Sequence, residues 1–317
     1  MAVKSKRIVL YKASKMRKVN SESKKLLERF KIDMAIRDLS ENTQKEYTYT
    51  LQQWLIFIYE YQDNRSVLEI DDEDLTEYLY FCKSQGNNTC RMKLRISVLS
   101  SFYKFLRKKK YLNSNPVEFI ERPKKAEPVY TQTFLTKEQI AFMREALIRQ
   151  GDTQLRLFVM LSLSTMARRS ALASLQWNQV DFQESTIHDV PEKEGKIVDL
   201  YFNDEVKYLL KTLRDEREAK NLNDQGWIFY SKFCKEDKHI SPATLNAWCK
   251  KVGELIDIPS LHPHDFRHSG ATLLKNAGMS LEDVSVLLNH ESVETTRKFY
   301  IKHDKKRISE VKNRINL

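Results

Sequence analysis

Three prolines interrupt the helical patterning of this chain near its middle. Pro116, Pro123 and Pro128 fall within residues 115–133, where charged and small residues replace any regular apolar spacing. Proline fixes its own φ angle and lacks the N–H group that helices use, so such a stretch favours a linker. We place an interdomain linker at 123–133. A chain of 317 residues that is 41% hydrophobic is large enough to fill two cores, so two domains are expected.

Helical periodicity dominates both halves. In the residues before the linker, patterns predict helices over 41–61, 72–84 and 88–109. After it, they predict helices over 136–149, in two stretches of 153–176, and over 204–220, 242–256, 264–277 and 281–288. Between 187 and 202, β-branched and aromatic residues flank Lys193-Glu194-Gly195, which predicts a hairpin with Lys193 at or near its turn. The expected fold class is mainly α (α+β) with a small antiparallel sheet.

The helix predicted over 88–109 has a polar face that suits DNA. Ser97, Ser101, Lys104 and Lys108 lie opposite its apolar stripe. Small hydroxyl groups beside long cations let a helix approach phosphates closely, so these four residues are candidate DNA contacts. An ordinary solvated face has the same composition.

Charge favours a polyanionic partner. The chain carries 54 Lys and Arg against 43 Asp and Glu, a net charge of +11, which attracts polyanions and releases their counterions. Residues 1–33, with far more basic than acidic residues, are expected to form a basic arm ending in a helix near 23–30, the alternative being a solvated tail. Charge alone does not separate DNA from RNA or anionic lipid.

Several classes of protein are disfavoured. No apolar run reaches membrane-spanning length, and the first ten residues lack a secretion signal, so we expect a cytoplasmic protein that does not bind membranes. The chain has seven glycines and no phosphate-binding glycine loop. Its four scattered cysteines do not suggest a zinc ribbon or disulfides.

Candidate chemical groups concentrate near the carboxyl end. His264 and His268 have the spacing of a metalloprotease pair, but Asp265 stands beside them where a glutamate general base would be expected, and no third ligand is evident, so we expect no metal. What remains is a set of cations and imidazoles that suits phosphoryl transfer, because guanidinium groups complement charge on a pentacoordinate phosphate. The set is Arg168, Lys193, His264, Arg267 and His290, with Tyr300 just downstream.

These residues lie in segments that resemble the tyrosine recombinases, which include phage integrases and Xer-type chromosome resolvases. Residues 163–172 are similar to the family's first arginine box, with Arg168 as its arginine. Residues 264–272 resemble its His-x-x-Arg box, and 287–296 followed by Tyr300 resemble its terminal box. Lys193 matches the family's hairpin lysine, with Lys196 as the alternative.

The resemblance implies a mechanism without a cofactor. Tyr300 would attack the scissile phosphate to give a 3′-phosphotyrosine and a free 5′-hydroxyl. Arg168 and Arg267 would hold the non-bridging oxygens, and His264 would help to take the tyrosine proton. Lys193 would protonate the leaving oxygen, and His290 would donate a further hydrogen bond.

The resemblance also implies an architecture and partners. A helical SAM-like core-binding domain at 34–122 and a catalytic domain at 134–317 would form a C-shaped clamp on double-stranded DNA carrying specific sites. Four protomers would assemble on DNA, with the tail after Tyr300 packing onto a neighbour, and an accessory factor would set direction. A bacterial or phage-encoded, nucleoid-associated protein is expected.

Three positions depart from the family pattern. Met166 stands where a glycine is usual, Ala171 where an acid is usual three residues after the first arginine, and Asn289 where a glycine precedes the histidine. The alternative function is therefore a catalytically silent DNA-binding regulator or accessory protein with the same fold. An RNA or membrane-surface binder, a third class, rests on charge alone.

Overall fold

The fold divides into two compact units, Met1–Thr131 and Gln132–Leu317. The computed structural model describes residues 10–124, 134–192, 195–234, 238–290 and 292–300, the side chains of 298–300 excepted. Helices predominate in both units, and the second carries a small antiparallel sheet, which confirms the predicted fold class. Among these residues no helix is long and apolar enough to cross a membrane.

The first unit is helical throughout its described part. Its helices are α1 (Ala13–Lys18), α2 (Ser21–Ile36), α3 (Glu41–Tyr61), α4 (Asp72–Ser84) and α5 (Thr89–Lys108), followed by a 3₁₀ turn, Pro116–Phe119. The side chains of Ser40, Asp71 and Asn88 accept hydrogen bonds from backbone N–H groups of the first turns of α3, α4 and α5. Such caps satisfy donors that the helix itself cannot. The three helices predicted for this half are therefore confirmed.

The basic arm predicted over residues 1–33 was expected to end in a helix near 23–30, and α2 (Ser21–Ile36) confirms that helix. Helix α2 buries Leu26, Leu27, Phe30 and Met34 in the core of the first unit, where Phe30 packs edge-on against Phe102. Apolar residues at these spacings form one helical stripe. The surrounding lysines and arginines hid this stripe because they lie on its other faces. Residues 1–9 lie outside the described part.

Part of the proline-rich stretch also packs on the first core. The Asn115 side chain accepts a hydrogen bond from the Val117 N–H at 3.1 Å, Pro116 occupies the first position of the 3₁₀ turn, and Val117 is buried. The chain thus stays against the first unit through this turn. Residues 125–133 of the predicted linker lie outside the described residues.

The second unit surrounds a buried helix, α7. Its helices are α6 (Lys137–Gln150), α7 (Thr153–Thr165), α8 (Arg169–Ala173), α9 (Asp204–Ala219), α10 (Pro242–Leu255), α11 (Pro263–Asn276), α12 (Leu281–Leu287) and α13 (Val293–Tyr300). Strands β1 (Val180–Asp181), β2 (Thr186–Pro191) and β3 (Ile197–Tyr201) form an antiparallel sheet in that order. The predicted hairpin is confirmed as β2 and β3, whereas α13 and the short β1 were not predicted.

Helices α7 and α11 pack closely. Phe158 of α7 lies edge-on against Phe266 of α11, with ring centroids 6.0 Å apart. A Cβ added at Gly270 of α11 would lie 2.3 Å from the carbonyl oxygen of Leu163, well inside van der Waals contact. Glycine at this position therefore allows the two backbones to approach, which sets the relative position of the arginines that each helix carries.

Candidate active site

The first candidate arginine follows a tight turn at the end of α7. Met166 adopts φ 53° and ψ 24°, the left-handed conformation that glycine favours, and its side chain packs into a small cluster with Ala271 and Leu288. Burial of a methionine side chain offsets the cost of this backbone. The departure at 166 thus preserves the turn. Arg168 comes two residues later, at the N-cap of α8.

Arg168 joins three separate segments. Its Nη1 forms an ion pair with the Glu192 carboxylate at the end of β2, and its Nη2 donates to the carbonyl oxygen of Asn289 at 3.3 Å. The Glu192 side chain has no exposed surface, whereas that of Arg168 is 28% exposed. Glu192 was not predicted as a site residue, because only Lys193 and Lys196 of this segment matched the hairpin lysine.

Arg267 is held by backbone carbonyls. Its Nη1 donates to the Met166 oxygen at 2.6 Å and its Nη2 donates to the Leu288 oxygen, and the residue is only 5% exposed. Met166 lies two residues before Arg168 in the chain, and Leu288 immediately precedes Asn289. Arg168 itself lies in the α7–α8 connection that Arg267 binds, and both arginines donate to the α12–α13 connection, so the structure brings them together.

Histidine His290 lies beside this pair in a neutral form. Its Nδ1 is 2.7 Å from the Oγ1 of the buried Thr296 on α13. Burial, and then the charges of Arg267 and Arg168, lower the pKa of His290 to about 4. A neutral imidazole at pH 7 can donate or accept a hydrogen bond without adding charge.

Helix α11 contributes further imidazoles. It begins with Pro263 at its first position, and Asp265 accepts a hydrogen bond from the backbone N–H of His262 at 2.9 Å. Burial lowers the pKa of His264, with smaller effects from His262 and Arg267. Burial also lowers the pKa of His268 to about 4, and that residue was not among the predicted site residues.

The structure does not describe Lys193 or the side chain of Tyr300. Lys193 lies outside the described residues, while the alternative, Lys196, is exposed and its carbonyl oxygen accepts from the Glu192 N–H at 2.7 Å. Helix α13 starts three residues after His290 and ends at Tyr300, whose side chain is not described.

The polar face of α5 has the predicted composition. Lys104 and Lys108 are exposed, and Ser97 and Ser101 are half-buried. Arg122, which was not predicted, donates to the Ser97 Oγ at 3.4 Å and adds a cation to this face.

One group of described residues has the composition of a cation site. Asp181, Glu184 and His188 each offer one ligand atom, and these atoms lie within 4.8 Å of one another. The group lies on β1, β2 and their connecting turn, and none of its members belongs to the predicted phosphoryl-transfer set.

Comparisons with known proteins fit this arrangement. Residues 133–307 match the phage integrase family, and residues 27–110 match the phage integrase N-terminal SAM-like domain. "Tyrosine recombinase XerC" of Pediococcus pentosaceus is 28% identical over 271 residues, covering 82% of this chain and 87% of that protein.

Two solved structures share the fold. The Tn1549 transposon integrase in complex with transposon right end DNA has a TM-score of 0.68 and 16% identity over 90% of this chain and 99% of that one. A lambda integrase tetramer bound to a Holliday junction has a TM-score of 0.63 and 17% identity over 91% of this chain and 81% of that one. The catalytic family match alone spans more than half of the sequence. The chain belongs to the phage integrase family.

Proposed function

We propose that this chain is a site-specific DNA recombinase that cuts and rejoins DNA through a 3′-phosphotyrosine at Tyr300. One observation carries the proposal: Arg168 and Arg267 both donate to the connection between α12 and α13, beside a neutral His290, at the start of the segment that leads to Tyr300. The relatives described above, a tyrosine recombinase and two DNA-bound integrases, support it.

The two arginines would stabilise the transition state. When Tyr300 Oη bonds to phosphorus and the bond from phosphorus to the 5′-oxygen breaks, negative charge grows on the non-bridging oxygens. A guanidinium has five N–H donors, so main-chain contacts and a phosphate contact are compatible. The contacts to Met166, Leu288 and Asn289 would hold both groups in place before DNA arrives, which lowers the reorganisation that the reaction requires.

Three further residues would move or hold protons. A neutral His264 would accept the tyrosine proton, and its lowered pKa keeps it in the accepting form at pH 7. Lys193 would donate a proton to the leaving 5′-oxygen. If Thr296 donates to Nδ1 of His290, its Nε2 carries a proton and can donate to a phosphate oxygen. Attack by a 5′-hydroxyl on the phosphotyrosine would then reseal a strand and release Tyr300.

The first unit would provide DNA affinity. The α5 face formed by Ser97, Ser101, Lys104 and Lys108 would contact phosphates, with Arg122 as an added cation. We assign residues from α2 to 122 to the core-binding domain, 123–133 to the linker and 134–317 to the catalytic domain with its tail. Self-association as a tetramer on two DNA sites is part of the proposal, supported by the lambda integrase tetramer. An accessory directionality factor and nucleoid association are also proposed.

A covalent adduct tests the function. The protein is isolated from cells under denaturing conditions, digested with nuclease and protease, and searched by mass spectrometry for a nucleotide on the peptide that contains Tyr300. We expect the adduct in the parent chain and none in Tyr300→Phe. Tight DNA binding without an adduct would instead support the silent regulator. The left-handed conformations of Met166 and Asn289, φ 53° and 48°, argue against that alternative because both residues adopt a backbone conformation that glycine favours.

A further inference from the structure

A β-bulge determines which way Glu192 faces. Residues 186 and 187 of β2 pair with 201 and 200 of β3, but 190 and 191 pair with 198 and 197, so β2 holds one extra residue between Ile187 and Val190. Asp189, within this bulge, adopts φ 53°. Side chains alternate across a strand, and one inserted residue exchanges the two faces beyond it.

The exchange brings a carboxylate into the protein. Ile187 and Val190 are both fully buried although they are three residues apart, Pro191 is exposed, and Glu192 is buried again. Without the bulge, the side chain of Glu192 would lie on the solvent face. Its backbone N–H donates to the Lys196 oxygen at 2.7 Å, which holds Glu192 beside the start of β3.

The buried carboxylate has one strong partner. Its Oε2 is bound by Arg168, and its Oε1 is buried with no hydrogen-bond partner among the described residues. Burying a carboxylate while one of its oxygens lacks a hydrogen bond lowers the stability of the fold, and such groups are commonly functional. The contact with Arg168 therefore explains why a glutamate is buried at position 192.

We propose that Glu192 is a positioning residue for Arg168, supplying from the sheet the acid that position 171 lacks. Ala171 is fully buried in the apolar core of the second unit, where a carboxylate has no place. Glu192 reaches the same arginine from another segment. The inference rests on the proposed function, since it assigns how the arginine of that site is held.

The pattern of burial separates positioning from competition. A carboxylate that occupied the place of a DNA phosphate would lie on the solvent side of the guanidinium. Instead the Glu192 side chain is wholly buried and Arg168 keeps 28% of its surface exposed. Glu192 therefore holds the guanidinium from the interior, while part of the Arg168 side chain remains exposed.

The test compares Glu192→Ala and Glu192→Gln with Glu184→Ala, which removes a carboxylate before the start of β2 that contacts His188 instead. The DNA recovered from the Tyr300 adduct identifies the target site. A duplex that carries this site and a nick beside the scissile phosphate then serves as the substrate. The measured quantity is the rate at which the covalent protein–DNA complex accumulates in a single turnover. We expect Glu192→Ala to form it tenfold to a hundredfold more slowly, about the loss caused by misplacing a reacting group by an ångström, with unchanged DNA affinity. Glu192→Gln, which keeps an acceptor without the charge, is expected to be intermediate and Glu184→Ala unaffected.

Two further measurements isolate the role of Arg168. In an Arg168→Lys background, Glu192→Ala should add little further loss, because the group through which it acts is already changed. Nitrogen-15 NMR of the arginine guanidinium groups should show slow rotation at Arg168 in the parent and faster rotation in Glu192→Ala, whether or not the chain cleaves DNA.

The outcomes are distinct. Cleavage by Glu192→Ala as fast as by the parent, or faster, overturns the inference and leaves the proposed function intact, as does unchanged rotation at Arg168. Absence of an adduct in the parent overturns the proposed function. The NMR comparison then tests only whether Glu192 restricts the rotation of the Arg168 guanidinium. If Glu192→Ala fails to fold, Glu192→Gln carries the same comparisons.

Discussion

Lowering the pH from 7 to 5 should destabilise the second unit through two histidines. Burial lowers the pKa of both His268 and His290 to about 4, from an ordinary value near 6.5. Between these values the unfolded chain binds protons that the folded chain excludes, so the free energy of unfolding falls as the pH falls through this window. The contribution is complete above pH 6.5 and is lost as the pH approaches 4.

The magnitude follows from the same pKa values. For one histidine, the difference in proton binding integrates to about 1.8 kcal/mol between pH 7 and pH 5, or about 3.7 kcal/mol for two. Both side chains are partly exposed, and solvent screening reduces this figure, so we expect a loss of about 2 to 3 kcal/mol. The lowered pKa of His264 acts in the same direction.

The chain contains its own control. All seven histidines lie at position 188 or later, so the first unit has none. Trp54 is in the first unit, and Trp177, Trp227 and Trp248 are in the second. Urea unfolding followed by fluorine NMR of 5-fluorotryptophan therefore measures the two units separately in one sample.

We expect the three signals of the second unit to shift to lower urea as the pH falls and the Trp54 signal to shift much less. Either His268→Asn or His290→Asn should remove about half of the pH dependence. A second unit whose stability changes by less than about 0.5 kcal/mol over this range, or variants that keep the full dependence, would refute the assignment of neutral buried histidines.

Two more predictions use helix packing and surface charge. Gly270→Ala should destabilise the second unit by about 1 to 3 kcal/mol, because its methyl group meets the Leu163 oxygen, and should also slow covalent complex formation. Gly253→Ala creates a similar contact in α10 and should lower the unfolding temperature without that kinetic effect; equal kinetic losses would contradict the prediction. The double variant Lys104→Ala, Lys108→Ala should bind DNA with a weaker salt dependence, lower by up to about two phosphate contacts. The slope of the logarithm of the binding constant against the logarithm of salt concentration is measured by fluorescence anisotropy, and an unchanged slope would show that these lysines of α5 do not contact DNA.

Long capped helices were predictable from the sequence. Helices α3, α4 and α6 were predicted within one or two residues because capping side chains mark their starts and apolar periodicity runs through them. Helix α2 was predicted only as a short segment near 23–30, and its packing into the core was missed because its many charges obscured a four-residue apolar stripe. Helix α13 has only eight residues, too few for a periodic pattern to be recognised, so local sequence alone did not predict it.

The candidate site was predictable in its residue types and less so in its contacts. The order of Arg168, Arg267 and His290 along the chain identified them without a structure. Glu192 was missed because its orientation depends on the bulge, and a one-residue change of register leaves no periodic signal in so short a strand. His268 was missed because its low pKa arises from burial on α11, which spacing alone does not show.

Gly270 has a consequence for transplanting this chemistry to other scaffolds. Arg168 lies three residues beyond the end of α7, and Arg267 lies three residues before Gly270 on α11, so the absence of one methyl group sets the separation between two guanidinium groups that it does not touch. A designer who placed the two arginines on helices packed at a typical interhelical distance would reproduce the side chains. The distance between their guanidinium groups would then be wrong. The interhelical distance is the quantity to copy first, and the side chains follow from it.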